Sequence, residues 1–338
     1  MPVRQGPRLA ARAVTGVAAG LDFPFATCYP LGVGGLAARF VCTLDIRLEL
    51  LMKQSVFFLT ATLLFLVCAS ALAQEKDLET LKKASTYPGA VGEWQGFVCH
   101  DFQFEGRSAK LVVPKEAAPG APWIWRARFF GHEPQFDVAM LNKGYHVAWL
   151  DSAPLMGSPK SVALWQDFYL YLTGELKLSP KPNLEGMSRG GLYTTNWAFA
   201  YPDEVSSIYI DNPVLDFKSW PGAFGKGKRS DGDWADVLKS YELTEEEALA
   251  YKKNPVDNKE GCEALAKRGV GILLVCGDPD TVVPGDENYA PFKKLYESVG
   301  GPVTLILKPN NDHHPHSLPD PTPIVEFVEK YEKTNAAQ

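Results

Sequence analysis

The chain has 338 residues, of which 46% are hydrophobic and 22% charged. That balance is ordinary for a globular protein and excludes a disordered, collagen-like or coiled-coil chain. The formal net charge of -6 provides no basic stripe for a phosphate backbone, so nucleic acid is not an expected partner.

The fold does not begin where the chain begins. Residues 52–73 read MKQSVFFLTATLLFLVCASALA: a Met-Lys start, an apolar run from Val56 to Val67 and a small-x-small end at Ala71-Leu72-Ala73. This is the pattern of a secretory signal peptide cut after Ala73. Cys68 follows Val67, where lipid attachment wants a small residue. The expectation is therefore a secreted or periplasmic protein with no stable membrane anchor after cleavage. Residues 1–51 hold five Arg and no Lys, whereas residues 52–338 hold 6 Arg and 23 Lys. Met52 is accordingly read as the natural start, and residues 1–51 as upstream, non-native sequence. The remaining residues, 74–338, make one α/β domain. Three cysteines fall in it, with Cys276 in an apolar strand and a Cys99–Cys262 disulfide open to the other two.

Phe97 to Phe104 and Ala109 to Pro114 alternate about Glu105-Gly106 and predict a hairpin. Trp123 to Phe130, His146 to Asp151, Asn183 to Met187, Ser207 to Asp211, Val270 to Cys276 and Val303 to Lys308 predict strands. Helices are expected near Gln135 to Lys143, Ser161 to Leu176, Arg189 to Ala200, Glu287 to Val299 and Pro321 to Lys333. Strands alternating with helices imply a mostly parallel sheet covered on both faces. Residues 213–259 break that rhythm with a Gly-, Trp- and Lys-rich run before ELTEEEALAYKK, and predict a lid-like insertion.

Function in such a sheet belongs at the C-terminal ends of the strands. There Gly186-Met187-Ser188-Arg189-Gly190 matches Gly-x-Ser-x-Gly at a strand-to-helix turn, an elbow that holds Ser188 in a strained conformation. A serine hydroxyl needs a base. His313, His314 and His316 follow the last predicted strand, and they also admit a metal-cluster reading. Adjacent His313 and His314, with no carboxylate near but Asp312, argue against one, so neither metal nor cofactor is expected. The acid that orients the base comes from Gly277-Asp278-Pro279-Asp280. Asp280 is preferred, Asp278 reads as a turn cap, and Asp211 is the competitor on the preceding strand.

These motifs, in the order nucleophile, acid, histidine, resemble the α/β-hydrolase superfamily over about Trp94 to Tyr331. GxSRGGL, DNPVLDFKSWPG and HHPHSL are similar to segments of a secreted bacterial group that often accompanies polysaccharide-degrading enzymes. Where relatives commonly carry Gly-x-Gly before the histidine, this chain has Asn310-Asn311-Asp312. The resemblance implies His313 as base, with His314 as runner-up. It also implies an oxyanion hole from the Arg189 and Phe130 backbone N–H groups, with Gly131 next to Phe130 as the alternative. Arg126, strange in a central strand beside Arg128, either pairs with an acid such as Asp151 or binds an anionic substrate group. Trp220 and Trp234 are candidates for stacking on a sugar ring. The expected activity is hydrolysis of a small-molecule or glycan-linked carboxylic ester through a Ser188 acyl-enzyme. A serine peptidase of the same fold and a non-catalytic binding module on a hydrolase scaffold are the rivals.

Overall fold

Among the described residues nine strands form one sheet: β1 (Ala90–Trp94), β2 (Phe97–Phe104), β3 (Arg107–Val113), β4 (Trp123–Ala127), β5 (His146–Leu150), β6 (Asn183–Met187), β7 (Ser207–Asp211), β8 (Gly271–Asp278) and β9 (Val303–Pro309). Their spatial order is β1-β2-β3-β5-β4-β6-β7-β8-β9. The first three pair antiparallel, β3 meets β5 antiparallel, and every pairing from β5 through β9 is parallel. The structure, a computed structural model, describes residues 52–64, 67, 75–76, 78–83 and 85–336. Residues 1–51 and the cleavage point at Ala73 lie outside the described residues.

The chain divides into two units, 1–70 and 71–338. In the first, residues 52–64 are helical and expose Phe57, Phe58, Leu59 and Leu63. No helix among the described residues is long and apolar enough to cross a membrane.

In the second unit, β4, β6 and β7 are buried along their whole length, as parallel strands covered on both faces must be. On one face Trp125 stacks on Trp165 with ring centroids 4.2 Å apart and takes the Trp197 edge at 4.9 Å. Each buried indole removes on the order of 200 Å² from water, stabilising the fold by at most about 5 kcal/mol. Those partners come from helices α2 (Pro159–Gly174) and α3 (Gly190–Ala200). The opposite face buries Ile124, Tyr209 and Leu273 against Phe136 of α1 (Gln135–Asn142) and Ile324 of the C-terminal helix (Thr322–Ala336).

Two expectations are corrected here, the end of one strand and the disulfide. The strand predicted over Trp123 to Phe130 ends at Ala127 because Arg128 and Phe129 turn left-handed, with φ of 65° and 42°. Cys99, Cys262 and Cys276 are all buried and free. Cys99 and Cys262 belong to different apolar clusters, so they form no disulfide. Residues 213–259 build a small core of their own, with Val214, Phe217, Trp234, Val237 and Ala248 packed on Met156 and Leu192. Two helices, Asp231–Tyr241 and Glu245–Ala250, lie within it.

Candidate active site

Strand β6 delivers Ser188 into a turn that only a few residue types can follow. Ser188 has φ of 51°, a left-handed conformation that costs a non-glycine residue about 1–3 kcal/mol and persists only where its surroundings impose it. Its N–H donates to Asp211 O at 2.9 Å, and its carbonyl accepts from Val214 N at 2.9 Å and Gly191 N at 3.0 Å. The neighbours must be glycine. A Cβ on Gly186 would lie 2.7 Å from the Gly190 carbonyl, and one on Gly191 would lie 2.7 Å from Pro213 Cβ.

Two loops at the same end of the sheet complete a chain of hydrogen bonds. His313 Nε2 lies 2.9 Å from Ser188 Oγ, and His313 Nδ1 lies 2.8 Å from Asp280 Oδ2. The other Asp280 oxygen accepts the N–H groups of Val282 and Val283 at 2.9 and 2.8 Å, which fixes the carboxylate's direction. All three side chains are buried.

The histidine loop is fastened by Asp312 and Asn212. Asp312 accepts from His313 N at 2.8 Å and from Thr281 N at 2.6 Å, while its second oxygen takes the Thr281 hydroxyl at 2.7 Å. Those bonds, the Thr281 backbone first, hold its carboxyl down to about 2. Asn212 donates to His313 O at 2.8 Å and accepts from Gly277 N at 2.6 Å. The polar Asn310-Asn311-Asp312 turn thus ties the histidine to the acid loop.

Asp211, the competing acid, is fully buried and faces a different histidine. It accepts from His316 Nδ1 at 2.8 Å, Ser317 N at 2.9 Å and Lys308 Nζ at 3.2 Å. Burial holds His316 below the ordinary histidine value against the pull of Asp211. His314, which does not reach Ser188, is also lowered, by burial and then by its histidine neighbours.

Arg126 is corrected as a substrate-binding residue. Its guanidinium is 2% exposed and pairs with Asp137 of α1 and, at 3.0 Å, with Glu185 of β6. Asp151, the expected partner, instead meets Arg128 at 3.3 Å. Burial, together with the Asp137 charge, pushes Glu185 well above the usual carboxylate range despite Arg126. Arg126, Asp137 and Glu185 thus form one buried cluster of a guanidinium and two carboxyl groups. Arg126 also donates to Phe129 O at 3.2 Å and to His132 O, so it props the 129–132 loop from beneath.

A cavity of about 430 Å³ opens over Ser188, walled by Phe129, Phe130, Arg189, Trp220, Val282 and the histidines. The backbone N–H groups of Phe130 and Arg189 donate to no protein acceptor among the described residues. Trp220 lines the cavity with the Arg189 guanidinium 5.1 Å from its ring centroid, and Arg189 is anchored on Asp233. Trp234 does not reach the cavity; it packs against Phe217 and Phe224.

No protein-family model and no curated protein matches the sequence. Solved structures similar to it include a Bacteroides ovatus protein assigned as a dipeptidyl aminopeptidase IV, with 16% identity, 72% of this chain and 36% of that one covered, and a TM-score of 0.49. An acylaminoacyl peptidase in complex with Z-Gly-Gly-Phe-chloromethyl ketone has 17% identity, 64% and 38% coverage and a TM-score of 0.47. Est1E from Butyrivibrio proteoclasticus has 18% identity, 75% and 100% coverage and a TM-score of 0.46. The matched part of the two peptidases is under two-fifths of their length. The strand order and the crossovers onto both faces of the sheet are those of the α/β-hydrolase fold.

Proposed function

We propose that this protein is a secreted serine hydrolase cleaving a carboxylic ester through an acyl-enzyme, with Ser188 as nucleophile, His313 as base and Asp280 as orienting acid. The observation that carries this reading is the unbroken chain Asp280 Oδ2, His313 Nδ1, His313 Nε2, Ser188 Oγ, with contacts of 2.8 and 2.9 Å. As Ser188 Oγ bonds to the ester carbonyl carbon, its proton passes to His313 Nε2. Asp280 stabilises the resulting imidazolium. The Phe130 and Arg189 N–H groups supply the donors for the oxyanion. Collapse breaks the bond to the alcohol, which leaves with the proton from His313. Water, deprotonated by the same nitrogen, then releases the carboxylic acid and restores Ser188. A carbohydrate-linked ester is the favoured substrate, on the expected company of the sequence group and the aromatic wall at Trp220.

The test is labelling with a fluorophosphonate, followed by a screen of acetyl, feruloyl, methyl-uronate and aminoacyl substrates. Labelling that disappears in Ser188→Ala, with ester turnover, supports the reading. Turnover of aminoacyl amides alone would make the protein a peptidase, and absence of labelling would leave a binding module. Export is tested separately by N-terminal sequencing, which should begin at Gln74.

A further inference from the structure

We propose that His132, His314 and His316 form a binding site for one divalent transition ion of the Zn²⁺ type. One ligand nitrogen from each of the three rings lies within 4.8 Å of the others. His314 and His316 rings are 4.7 Å apart, and His132 stands 5.8 Å from each. The His313 ring is close as well, 5.0 and 4.9 Å from His314 and His316, but both its nitrogens are engaged, with Ser188 and Asp280. The sequence expectation of no metal weighed His313 with its neighbours. The third ligand instead comes from the loop after β4, 182 positions before His314, where no local spacing signals it.

The donor set and its surroundings point to a borderline ion. Three imidazoles suit Zn²⁺ and its neighbours, whereas Mg²⁺ and Ca²⁺ demand oxygen. His316 gives its Nδ1 proton to Asp211 at 2.8 Å, and Asp211 is fully buried. That bond fixes the tautomer and leaves the Nε2 lone pair free, the carboxylate–histidine arrangement that orients metal ligands. Neither ring of His132 or His314 makes a hydrogen bond among the described residues, and both side chains are exposed. They can close the remaining distance, since tetrahedral Zn–N bonds of about 2.0–2.1 Å need nitrogens roughly 3.4 Å apart. A three-histidine site keeps a fourth position open. All three histidines line the cavity that holds Ser188, so that position takes water or an oxygen of a bound molecule.

The proposal stands independently of the hydrolase reading and is tested without catalysis. Protein expressed without a polyhistidine tag and stripped with a chelator is dialysed against Zn²⁺, and against Co²⁺ for its visible absorption. One ion per chain is expected, with the intense bands of four-coordinate Co²⁺. Asp211→Asn should weaken Zn²⁺ binding about 10–100-fold, and His132→Ala or His314→Ala by more. Because these two side chains are exposed, their variants keep the test decisive if Asp211→Asn does not fold. Ser188→Ala should bind as tightly as the parent, even if it labels with nothing. Uptake well below one ion per chain, or affinity unchanged in His132→Ala, would overturn the site. Binding lost in His313→Ala but kept in His132→Ala would overturn it too.

Discussion

Asp312 grips Thr281 with both carboxylate oxygens, one on the backbone N–H at 2.6 Å and one on the hydroxyl at 2.7 Å. The grip joins the loop carrying His313 to the loop carrying Asp280, whose reactive side chains meet next door at 2.8 Å. Asp312 touches neither Ser188 nor the cavity, so it acts as a positioning residue.

Asp312→Ala should therefore lower kcat by about tenfold while leaving KM within about twofold, because a small misplacement of the base slows reaction more than binding. Asp312→Asn, which retains one acceptor, should recover part of the loss. Steady-state kinetics on the best ester from the screen decide it. An effect on KM alone would mean that the turn contacts substrate instead.

His146 provides a pH-dependent stability test. It is buried at the start of β5, and Tyr87 Oη lies 3.2 Å from its Nε2. Burial depresses it from 6.5 to about 4. Between those values the unfolded chain binds a proton that the native protein does not, so stability rises with pH across the window. It is lost as pH falls from 6.5 towards 4. The full difference is about 3 kcal/mol. His146→Phe should reduce by that order the gap between stability at pH 7 and at pH 4, measured by denaturant titration. An unchanged gap would place the neutral histidine elsewhere.

The parts of the fold that were legible were those where burial dictates composition. Asn183–Met187 and Ser207–Asp211 are short buried runs bounded by turns, and both strands have the predicted limits. Strand β1, AVGEW, was not read because it lies at the sheet edge, mostly exposed, with a glycine at its centre. Helix Lys259–Lys267 was hidden at the boundary of the insertion. The Ser188 elbow and the two loops were visible as motifs because their chemistry needs rare residues in fixed order. The partner of Arg126 was missed although a signal existed. Glu185 is the one acid in the apolar strand NLEGM, and parallel pairing sets it directly beside Arg126. Asp137, on the helix predicted near Gln135 to Lys143, and His132, in the loop before it, left no such trace, since nothing local in the sequence shows what they approach.

Arg126→Ala should be strongly destabilising, since it leaves Asp137 buried without its cation. Breaking a buried pair from one side costs about 3–5 kcal/mol, or roughly 10 °C in Tm for a chain of this size. Arg126→Met combined with Asp137→Leu should regain most of that stability. It should nevertheless stay slow in kcat, because the Phe129 and His132 carbonyls lose their anchor. Recovery of both stability and rate would assign Arg126 to packing alone.

The two buried aspartates should separate most sharply. Asp280 and Asp211 each hold a histidine Nδ1 at 2.8 Å, but only His313 continues to Ser188. Asp280→Asn keeps the shape yet turns an amide towards His313 Nδ1, which favours the tautomer with its proton on Nε2, the nitrogen that must accept from Ser188. The loss in kcat should be about 10⁴-fold, with little change in KM. Asp211→Asn breaks a different set of bonds, to His316, Ser317 and Lys308. Its cost should fall on folding stability, with kcat reduced far less. Fluorophosphonate labelling rates give the same comparison without a known substrate: slow in Asp280→Asn, near parental in folded Asp211→Asn. The reverse ranking would move the orienting acid to β7 and the base to His316.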